Sequence, residues 1–283
     1  MTPDNDVSTV PFGAFAPNAA QAAVIRFVQG SRLKRGVFRP WMSRLVNSLR
    51  TGPVDTQYQG ASFRFYHLAS ATERGALFNP DYNLDELAFL RAHTPERGVF
   101  VDLGANVGTY ALTLAKKVGA SGTVIAVEPH PLARSRLVFN RDASSLPQVK
   151  VVAAAAGPSD GELLIETDGD NLGASHVVAG QGTGAAAGQA PRGAIRVPSF
   201  TLQRILADAG ATKMDALKID IEGFEDRVLM PFFAQAPPTL WPRAVVIEHL
   251  SRKEWQQDCI ADMIARGYVE ERKTRSNTLL ARH

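Results

Sequence analysis

The stretch VFVDLGANVGTY at residues 99–110 decides the fold of this chain, because it combines a strand, a glycine turn and the start of a helix. The apolar run at 99–101 is typical of a parallel strand that is covered on both faces. The residues after Gly108 have helix-forming composition, with Lys116 and Lys117 placed to stabilise a helix C-terminus. A ligand can therefore approach bare backbone at a helix N-terminus here.

The glycine spacing indicates which ligand suits this turn. A dinucleotide-binding fingerprint needs G-x-G-x-x-G, whose second glycine lets the backbone approach a pyrophosphate. This chain has D-x-G-x-x-x-G instead, from Asp102 through Gly104 to Gly108. Ala105 and Asn106 stand where the second glycine would fall. The spacing therefore disfavours a nucleotide-binding oxidoreductase.

A second predicted strand, residues 123–127, ends in Glu128 and Pro129. Glu128 follows Gly104 by 24 residues, a separation that suits hydrogen bonds from two ribose hydroxyls. The alternative is an ordinary βαβ unit with an N-capping Asn106 and an acidic strand end. The D-x-G-x-x-x-G turn resembles the first motif of S-adenosylmethionine (SAM) dependent methyltransferases, whose ligand carries no phosphate, and Glu128 favours the same ligand. In that family the acidic residue and the glycine loop hold the amino-acid end of SAM.

The composition is that of a globular chain, with 283 residues, 45% of them hydrophobic and 21% charged. This length can bury the core of one large α/β domain with an extension. No run of 18 apolar residues predicts a membrane span. The N-terminus lacks the pattern of a signal peptide, and the single cysteine, Cys259, cannot form an internal disulfide. We therefore expect a cytoplasmic location and interpret Cys259 as a core filler.

Residues 21–50 contain seven basic residues and no acidic ones. Interleaved apolar positions predict one or two amphipathic helices there. One interpretation is that these helices contact an anionic membrane surface or an acidic substrate. We favour the other, in which they pack on the main domain with their basic face in water. No aromatic-basic motif supports nucleic-acid binding. Because the glycine turn resembles that of methyltransferases, the resemblance implies a small-molecule or glycan acceptor as the partner, and a homo-oligomer is left open.

Three segments are predicted: a disordered N-terminus (1–20), a basic helical extension with a lead-in strand near 59–67 (21–80), and an α/β domain (81–283). From residue 99 strands and helices alternate, which is typical of a parallel sheet. Further strands are predicted at 149–154, 162–167, 195–200, 215–220, 243–248, 267–272 and 277–281, and helices at 83–90, 131–143, 201–209, 224–230 and 252–265. The Gly/Ala-rich stretch 173–194 is interpreted as a mobile loop.

Ionisable residues follow four of the predicted strands at the point where each strand ends. In open α/β sheets ligands bind outside the carboxyl ends of the strands, where the topology switches. Polar groups buried there without partners would be costly, so their recurrence is typical of a site. The residues are Asp102, Glu128, Asp220 with Glu222, and Glu248 with His249.

The segment LKIDIEGFE at 217–225 resembles the K-I-D-x-E-G-x-E signature of the FkbM family of SAM-dependent methyltransferases. The matches V-D-x-G-A-N-x-G at 101–108, V-E-P at 127–129, N-x-G-x-S at 171–175 and I-E-H at 247–249 fit too. The resemblance covers about residues 80–281. The sequence departs from the family pattern at Gln203, where the family commonly has Asp after Thr-Leu. If that Asp only caps or pairs a helix start, little is lost; if it contributes to the site, the departure affects activity.

The resemblance implies a Rossmann-like class I methyltransferase, with a mostly parallel seven-stranded sheet, a final antiparallel strand and helices on both faces. It also implies O-methylation of a hydroxyl on a sugar or polyketide-type metabolite, with S-adenosylhomocysteine as the second product. An N-methyltransferase ranks lower because the usual N-P-P-Y signature is absent. A catalytically inactive SAM-binding protein is the remaining alternative. The implied donor site comprises Asp102, Gly104, Ala105, Asn106, Gly108, Thr109, Tyr110, Glu128 and Pro129.

Asp220 and His249 are the candidates for the base that takes the proton of the acceptor hydroxyl. Glu222 and Glu248 would orient that base or bind acceptor hydroxyls. A cluster of carboxylates raises some of their pKa values by mutual repulsion, which helps one member to act near neutral pH. We expect no metal site, although Asp220, Glu222 and His249 together would be the geometric alternative.

Overall fold

The computed structural model describes residues 9–167, 175–177 and 193–283. Its α-helices are α1 (Ala19–Gln29), α2 (Arg39–Leu49), α3 (Ala71–Phe78), α4 (Leu84–His93), α5 (Thr109–Val118), α6 (Pro131–Ala143), α7 (Leu202–Asp208), α8 (Glu225–Gln235) and α9 (Cys259–Ala265). Its strands are β1 (Val54–Tyr58), β2 (Ala61–Phe65), β3 (Val99–Leu103), β4 (Thr123–Val127), β5 (Val149–Val152), β6 (Ala155–Ala156), β7 (Gly161–Thr167), β8 (Ser175–Val177), β9 (Ala194–Phe200), β10 (Ala216–Ile219), β11 (Ala244–Glu248), β12 (Val269–Lys273) and β13 (Asn277–Ala281).

A seven-stranded sheet in the order β12-β13-β11-β10-β3-β4-β5 forms the centre of the molecule. Strands β3, β4, β5, β10 and β11 are parallel, whereas β13 runs antiparallel to both β11 and β12. The chain proceeds to one side from β3 and later returns on the other side with β10. The topology therefore switches between these two strands, and the predicted Rossmann-like fold is confirmed.

Alternate residues of the strands pack on opposite faces of this sheet. Phe100 belongs to a core shared with α1 to α6 and the β1-β2 hairpin. Its neighbour Val101 belongs to a second core, shared with α7, α8 and α9. Because successive side chains point to opposite faces, the continuous apolar runs of the sequence fill both cores. The N-terminal helices are thus part of the main core.

The predicted disorder of residues 1–20 is wrong for residues 9–20. The buried guanidinium of Arg64 donates to the carbonyl oxygens of Val10 and Pro11 at 2.8 and 2.9 Å. Asp55 Oδ2 accepts the Gly13 N–H at 2.7 Å. Helix α1 then begins at Ala19. Composition alone predicts disorder because the two buried residues that fix this segment, Arg64 and Asp55, lie more than 40 residues away in the sequence. Residues 1–8 lie outside the described part of the chain.

Two predicted elements differ in extent. The lead-in strand is the second arm of a hairpin, in which Gln59 and Gly60 have φ angles of 50° and 86°, typical of a type I′ turn. The helix predicted at 252–265 is regular over Cys259–Ala265 only, because Asp258 caps it by accepting the Ala261 N–H at 3.2 Å.

A four-stranded sheet in the order β6-β9-β7-β8 accounts for the additional pair of strands, since β7 and β9 are antiparallel neighbours. Of the predicted mobile loop, residues 175–177 form β8, whereas 173–174 and 178–192 lie outside the described residues. The same holds for residues 171–174 of the N-x-G-x-S match. Among the described helices, none combines the length and apolarity that a bilayer crossing requires.

Candidate active site

A crevice lies at the carboxyl ends of β3, β4 and β10, where the sheet topology switches. Its volume is about 200 Å³. Its apolar lining includes Val127, Ala155, Ala156 and Ile165, and the other lining residues fall into three groups. The donor-loop group is Gly104, Ala105, Asn106, Thr109, Tyr110, Glu128 and Pro129; the second comprises Lys218, Asp220, Ile221, Glu222 and Phe224; the outer group comprises Thr72, Tyr82, Asn83, Ser276 and Asn277.

The glycine turn after β3 lies directly against the end of β10. Gly104 has a φ of 76°, and a Cβ placed on it would lie 2.0 Å from the carbonyl oxygen of Asp220. Only glycine combines this left-handed conformation with so close an approach. The N–H groups of Gly104 and Ala105 both donate to the Val127 oxygen at 3.0 Å. The turn is therefore fixed between β4 and the loop after β10.

Glu128 lies at the end of β4 and faces the crevice. Its Oε2 accepts the Asn106 N–H and its Oε1 accepts the His130 N–H, both at 2.8 Å. Each oxygen keeps a further lone pair, which suits two neighbouring ribose hydroxyls. Burial raises the pKa of Glu128 to about 7. The buried Oδ1 of Asn106 has no hydrogen-bond partner within the described chain, so this side of the crevice fits the polar groups of SAM.

Asp102 does not line the crevice but lies beneath its floor. Its Oδ2 accepts the Ala111 N–H at 3.0 Å, which fixes the first turn of α5. Its Oδ1 lies 3.4 Å from Lys218 Nζ, and both side chains are almost fully buried. Burial raises the pKa of Asp102, and the Lys218 ammonium opposes that shift. Asp102 thus supports the donor loop and is placed away from the ligand surface.

Lys218 is a site residue that sequence reasoning did not single out. Its ammonium donates to the Gly104 oxygen at 2.7 Å and lies 3.9 Å from Asp220 Oδ2. Burial alone would lower the pKa of Lys218, but Asp102 and Asp220 outweigh it and hold that pKa above its ordinary value. A lysine inside an otherwise apolar strand was the available signal. This cation connects the donor loop with the loop that carries Asp220.

The start of α5 combines a packing residue with two crevice residues. Gly108 faces the core, since a Cβ there would lie 2.4 Å from Leu137 Cδ1. Thr109 and Tyr110 line the crevice. Burial raises the pKa of Tyr110 well above its ordinary value, so its hydroxyl stays neutral.

The loop after β10 presents Asp220 and Glu222 to the crevice, and Glu222 has a φ of 56°. The fully buried Glu225 fixes this loop from inside. Its Oε1 accepts the Ile221 N–H at 2.8 Å, and its Oε2 accepts the Trp255 indole N–H at 2.7 Å. Burial raises the pKa of Glu225 to about 7. Glu225 is therefore placed to position the loop rather than to meet a substrate.

The two candidates at the end of β11 are not among the crevice-lining residues. Glu248 accepts the N–H groups of Leu250 and Ser251, so it closes the turn after the strand. Burial, and after it the nearby Asp220 carboxylate, raises the pKa of Glu248. His249 Nδ1 lies 3.0 Å from Thr278 Oγ1, and burial lowers the pKa of this histidine. The structure thus places both residues next to the crevice, where they contact the surrounding chain and do not line the crevice.

Asp220, Glu225 and Glu248 each offer a carboxylate oxygen, and these three oxygens lie within 4.8 Å of one another. The sequence-based alternative, which used Glu222 and His249 with Asp220, is a different set. In the structure, Glu225 and Glu248 already accept loop N–H groups. These hydrogen bonds fix the loop after β10 and the turn after β11, and they account for the position of both carboxylates beside Asp220.

Gln203, the departure from the family pattern, lies away from the crevice. It is in the first turn of α7 and lines a separate small cavity with Gly157 and Phe232. The helix start is capped by Thr201, whose hydroxyl accepts the Arg204 N–H at 3.2 Å. The departure therefore changes a helix start and leaves the crevice lining as it is.

The outer group comes from parts of the chain that the strand-end argument did not reach. Tyr82 and Asn83 precede α4, and Ser276 and Asn277 lie at the β12-β13 turn. Because that argument considers only the ends of parallel strands, it finds no residue on a helix lead-in or on an antiparallel hairpin.

Residues 102–271 match the family described as the methyltransferase FkbM domain, which is more than half of the chain. No curated protein matches the chain significantly. Among solved structures, an rRNA methylase from Streptococcus thermophilus is similar at 8% identity, covering 70% of this chain and 94% of the other, with a TM-score of 0.40. A methyltransferase from Geobacter sulfurreducens is similar at 11% identity, with coverages of 71% and 77% and a TM-score of 0.42. We infer nothing about substrate from similarities at this level.

Proposed function

Because the chain belongs to the FkbM family of methyltransferases, with SAM as its cofactor, we propose that it is an O-methyltransferase. The acceptor in this proposal is a hydroxyl of a sugar, a glycan, or a glycosylated or polyketide-type metabolite. The observation that carries it is the contact between Gly104 and the Asp220 carbonyl, which brings the donor loop and a carboxylate to one crevice.

When bound, SAM would supply a methyl carbon on a sulfonium, which an acceptor oxygen attacks as the carbon–sulfur bond breaks and S-adenosylhomocysteine leaves. A neutral hydroxyl is a weak nucleophile, so a base must take its proton as the bond forms. We assign this role to Asp220, because among the four proposed catalytic residues only Asp220 and Glu222 line the crevice, and Asp220 lies next to the donor turn. In this proposal Glu222, which also lines the crevice, binds a second hydroxyl of the acceptor.

Lys218 and Glu225 support this proposal as positioning residues. The Lys218 ammonium lies 3.9 Å from Asp220 Oδ2, where it holds this carboxylate beside the donor turn. Glu225 holds the loop from inside through its bond to the Ile221 N–H. Holding the acceptor oxygen in line with the methyl group supplies much of the rate in such a displacement.

The Asp220→Asn variant tests the assignment of the base. We expect methyl transfer to fall by about 10² to 10⁴, because the amide cannot accept the proton. SAM affinity, measured by calorimetry, should stay within a few-fold of wild type, since the donor group is untouched. Asp142→Asn, which changes an exposed acid outside the crevice, is the matched control.

The acceptor class is tested with radiolabelled SAM and a panel of hydroxyl-bearing glycans, glycosylated metabolites and matched amines. Transfer to a hydroxyl that Asp220→Asn abolishes supports the proposal. Transfer to the amines alone would make the enzyme an N-methyltransferase. SAM binding without transfer to any acceptor would favour an inactive binding protein.

A further inference from the structure

Helix α2 is apolar on its solvent side as well as on its core side. Ser43 and Val46 are buried on the core side. On the other side Phe38, Trp41, Leu45 and Leu49 are exposed, and their spacing places them along one face of the helix. We call these four residues, with Val37 just before them, the apolar stripe.

The stripe gathers much of the exposed apolar surface of the described chain. Trp41 is 68% exposed and Val37 is 72% exposed. Isolated exposed apolar residues are ordinary, but a contiguous row marks a contact surface. A tryptophan in such a row suits a boundary between water and an apolar phase, since its ring is apolar and its N–H is polar.

The charges within the segment that carries the stripe are of one sign. Residues 21–50 hold seven basic and no acidic residues. Arg35 and Arg44 are exposed, and within the described chain neither forms an ion pair. Lys34 is paired, with Asp81. A second copy of the chain would bring arginine against arginine in a symmetric interface, which is unfavourable, whereas an anionic surface complements them.

We propose that the apolar stripe and its arginines bind this protein to the surface of an anionic lipid bilayer. The helix lies in the plane of the interface, with the stripe in the headgroup region and Arg35 and Arg44 near lipid phosphates. Arg39, the first residue of α2, lies over the ring of Tyr82 at 5.6 Å, and Tyr82 lines the crevice. The bound helix therefore lies next to the crevice.

Vesicle co-sedimentation of the full chain tests the proposal without requiring enzymatic activity. The vesicles consist of phosphatidylcholine, either alone or with about one-third of the lipid replaced by anionic phosphatidylglycerol. We expect binding to the anionic vesicles at least about tenfold tighter than to the neutral ones, weakening as salt is raised. Binding that is absent on anionic vesicles at low salt would overturn the proposal.

Two sets of exposed substitutions separate the apolar and charged contributions. Trp41→Ser with Leu45→Ser should weaken anionic-vesicle binding at least tenfold, and Arg35→Gln with Arg44→Gln by a similar factor. Leu250→Ser with Val269→Ser is the control, since both residues are exposed and apolar but lie outside the stripe. Equal binding by all three variants and wild type would contradict the proposed surface.

A second copy of the chain is the competing occupant of the stripe. Sedimentation velocity of wild type and of the Trp41→Ser, Leu45→Ser variant distinguishes the two. A wild-type dimer that the variant converts to monomer, without vesicle binding, would assign the stripe to self-association and overturn the membrane proposal.

Discussion

Glu128 is a carboxylate whose protonation is governed by burial. Two backbone N–H groups favour its ionised form, but burial outweighs them and raises its pKa to about 7 in the ligand-free protein. The ionised form is the better acceptor for ribose hydroxyls. We therefore expect the proposed donor site to be sensitive to pH at this residue.

We expect the affinity for SAM to rise with pH through about 7, because the carboxylate must be ionised to accept both hydroxyls. Below that pKa, the change approaches tenfold per pH unit. Calorimetry at three pH values around neutrality measures it. Glu128→Gln should bind about ten- to a hundredfold more weakly above pH 7 and show no such slope. Comparing the two proteins cancels titration of the ligand itself, and an identical slope in both would contradict the assignment.

At the scale of elements, the site consists of two loops that touch through backbone. The turn after β3 and the loop after β10 meet where Gly104 faces the Asp220 carbonyl, and the Lys218 ammonium joins them from below. A side chain on Gly104 cannot be accommodated without moving one of the loops.

Gly104→Ala should lower the free energy of unfolding by about 3 kcal/mol or more, since a left-handed residue and a backbone clash add together. It should also abolish SAM binding. Gly210→Ala is a matched control, because Gly210, just after α7, has a similar φ of 69° with open space around it. That control should lose only about 1 kcal/mol. Urea denaturation compares the two, and equal losses would show that the contact at Gly104 is unimportant.

At the scale of the whole molecule, one buried ion pair fixes the N-terminal region internally and a second attaches it to the sheet domain. Arg64 binds Asp55 through two bonds of 2.7 and 2.8 Å, and both side chains are buried. A second buried pair joins Arg136 to Glu73 at 2.8 Å. The first pair joins β1 to β2, and Arg64 also binds the chain before α1; the second pair joins α3 to α6.

Arg64→Met should destabilise the protein by about 3 to 5 kcal/mol, because it leaves the Asp55 carboxylate buried without its partner. Arg272→Met is the control: Arg272 pairs with Asp85 at 2.7 Å, but both side chains are 58% exposed. The control should change stability by less than about 1 kcal/mol. A loss in Arg64→Met no larger than in the control would mean that the buried pair does not hold the N-terminal segment.

Sequence reasoning reached the fold and the glycine turn after β3 for physical reasons. Continuous apolar runs mark buried strands, and the glycines of the 104–108 turn have specific backbone requirements that spacing reveals. It did not reach Lys218, whose partners lie on a neighbouring strand, or Tyr82 and Ser276, which join the crevice through tertiary packing. It misjudged residues 9–20 because the buried Arg64 that binds them is invisible to local composition.

The contact between Gly104 and Asp220 has a consequence for how such an enzyme can diversify. With the donor loop and the proposed base, Asp220, held as one rigid unit, neither can shift to suit a new acceptor without losing the other. Change is cheaper at Thr72, Tyr82 and Ser276, on separate segments that line the crevice without forming this unit. We expect acceptor preference to change through substitutions at these three residues while the methyl-transferring chemistry stays the same.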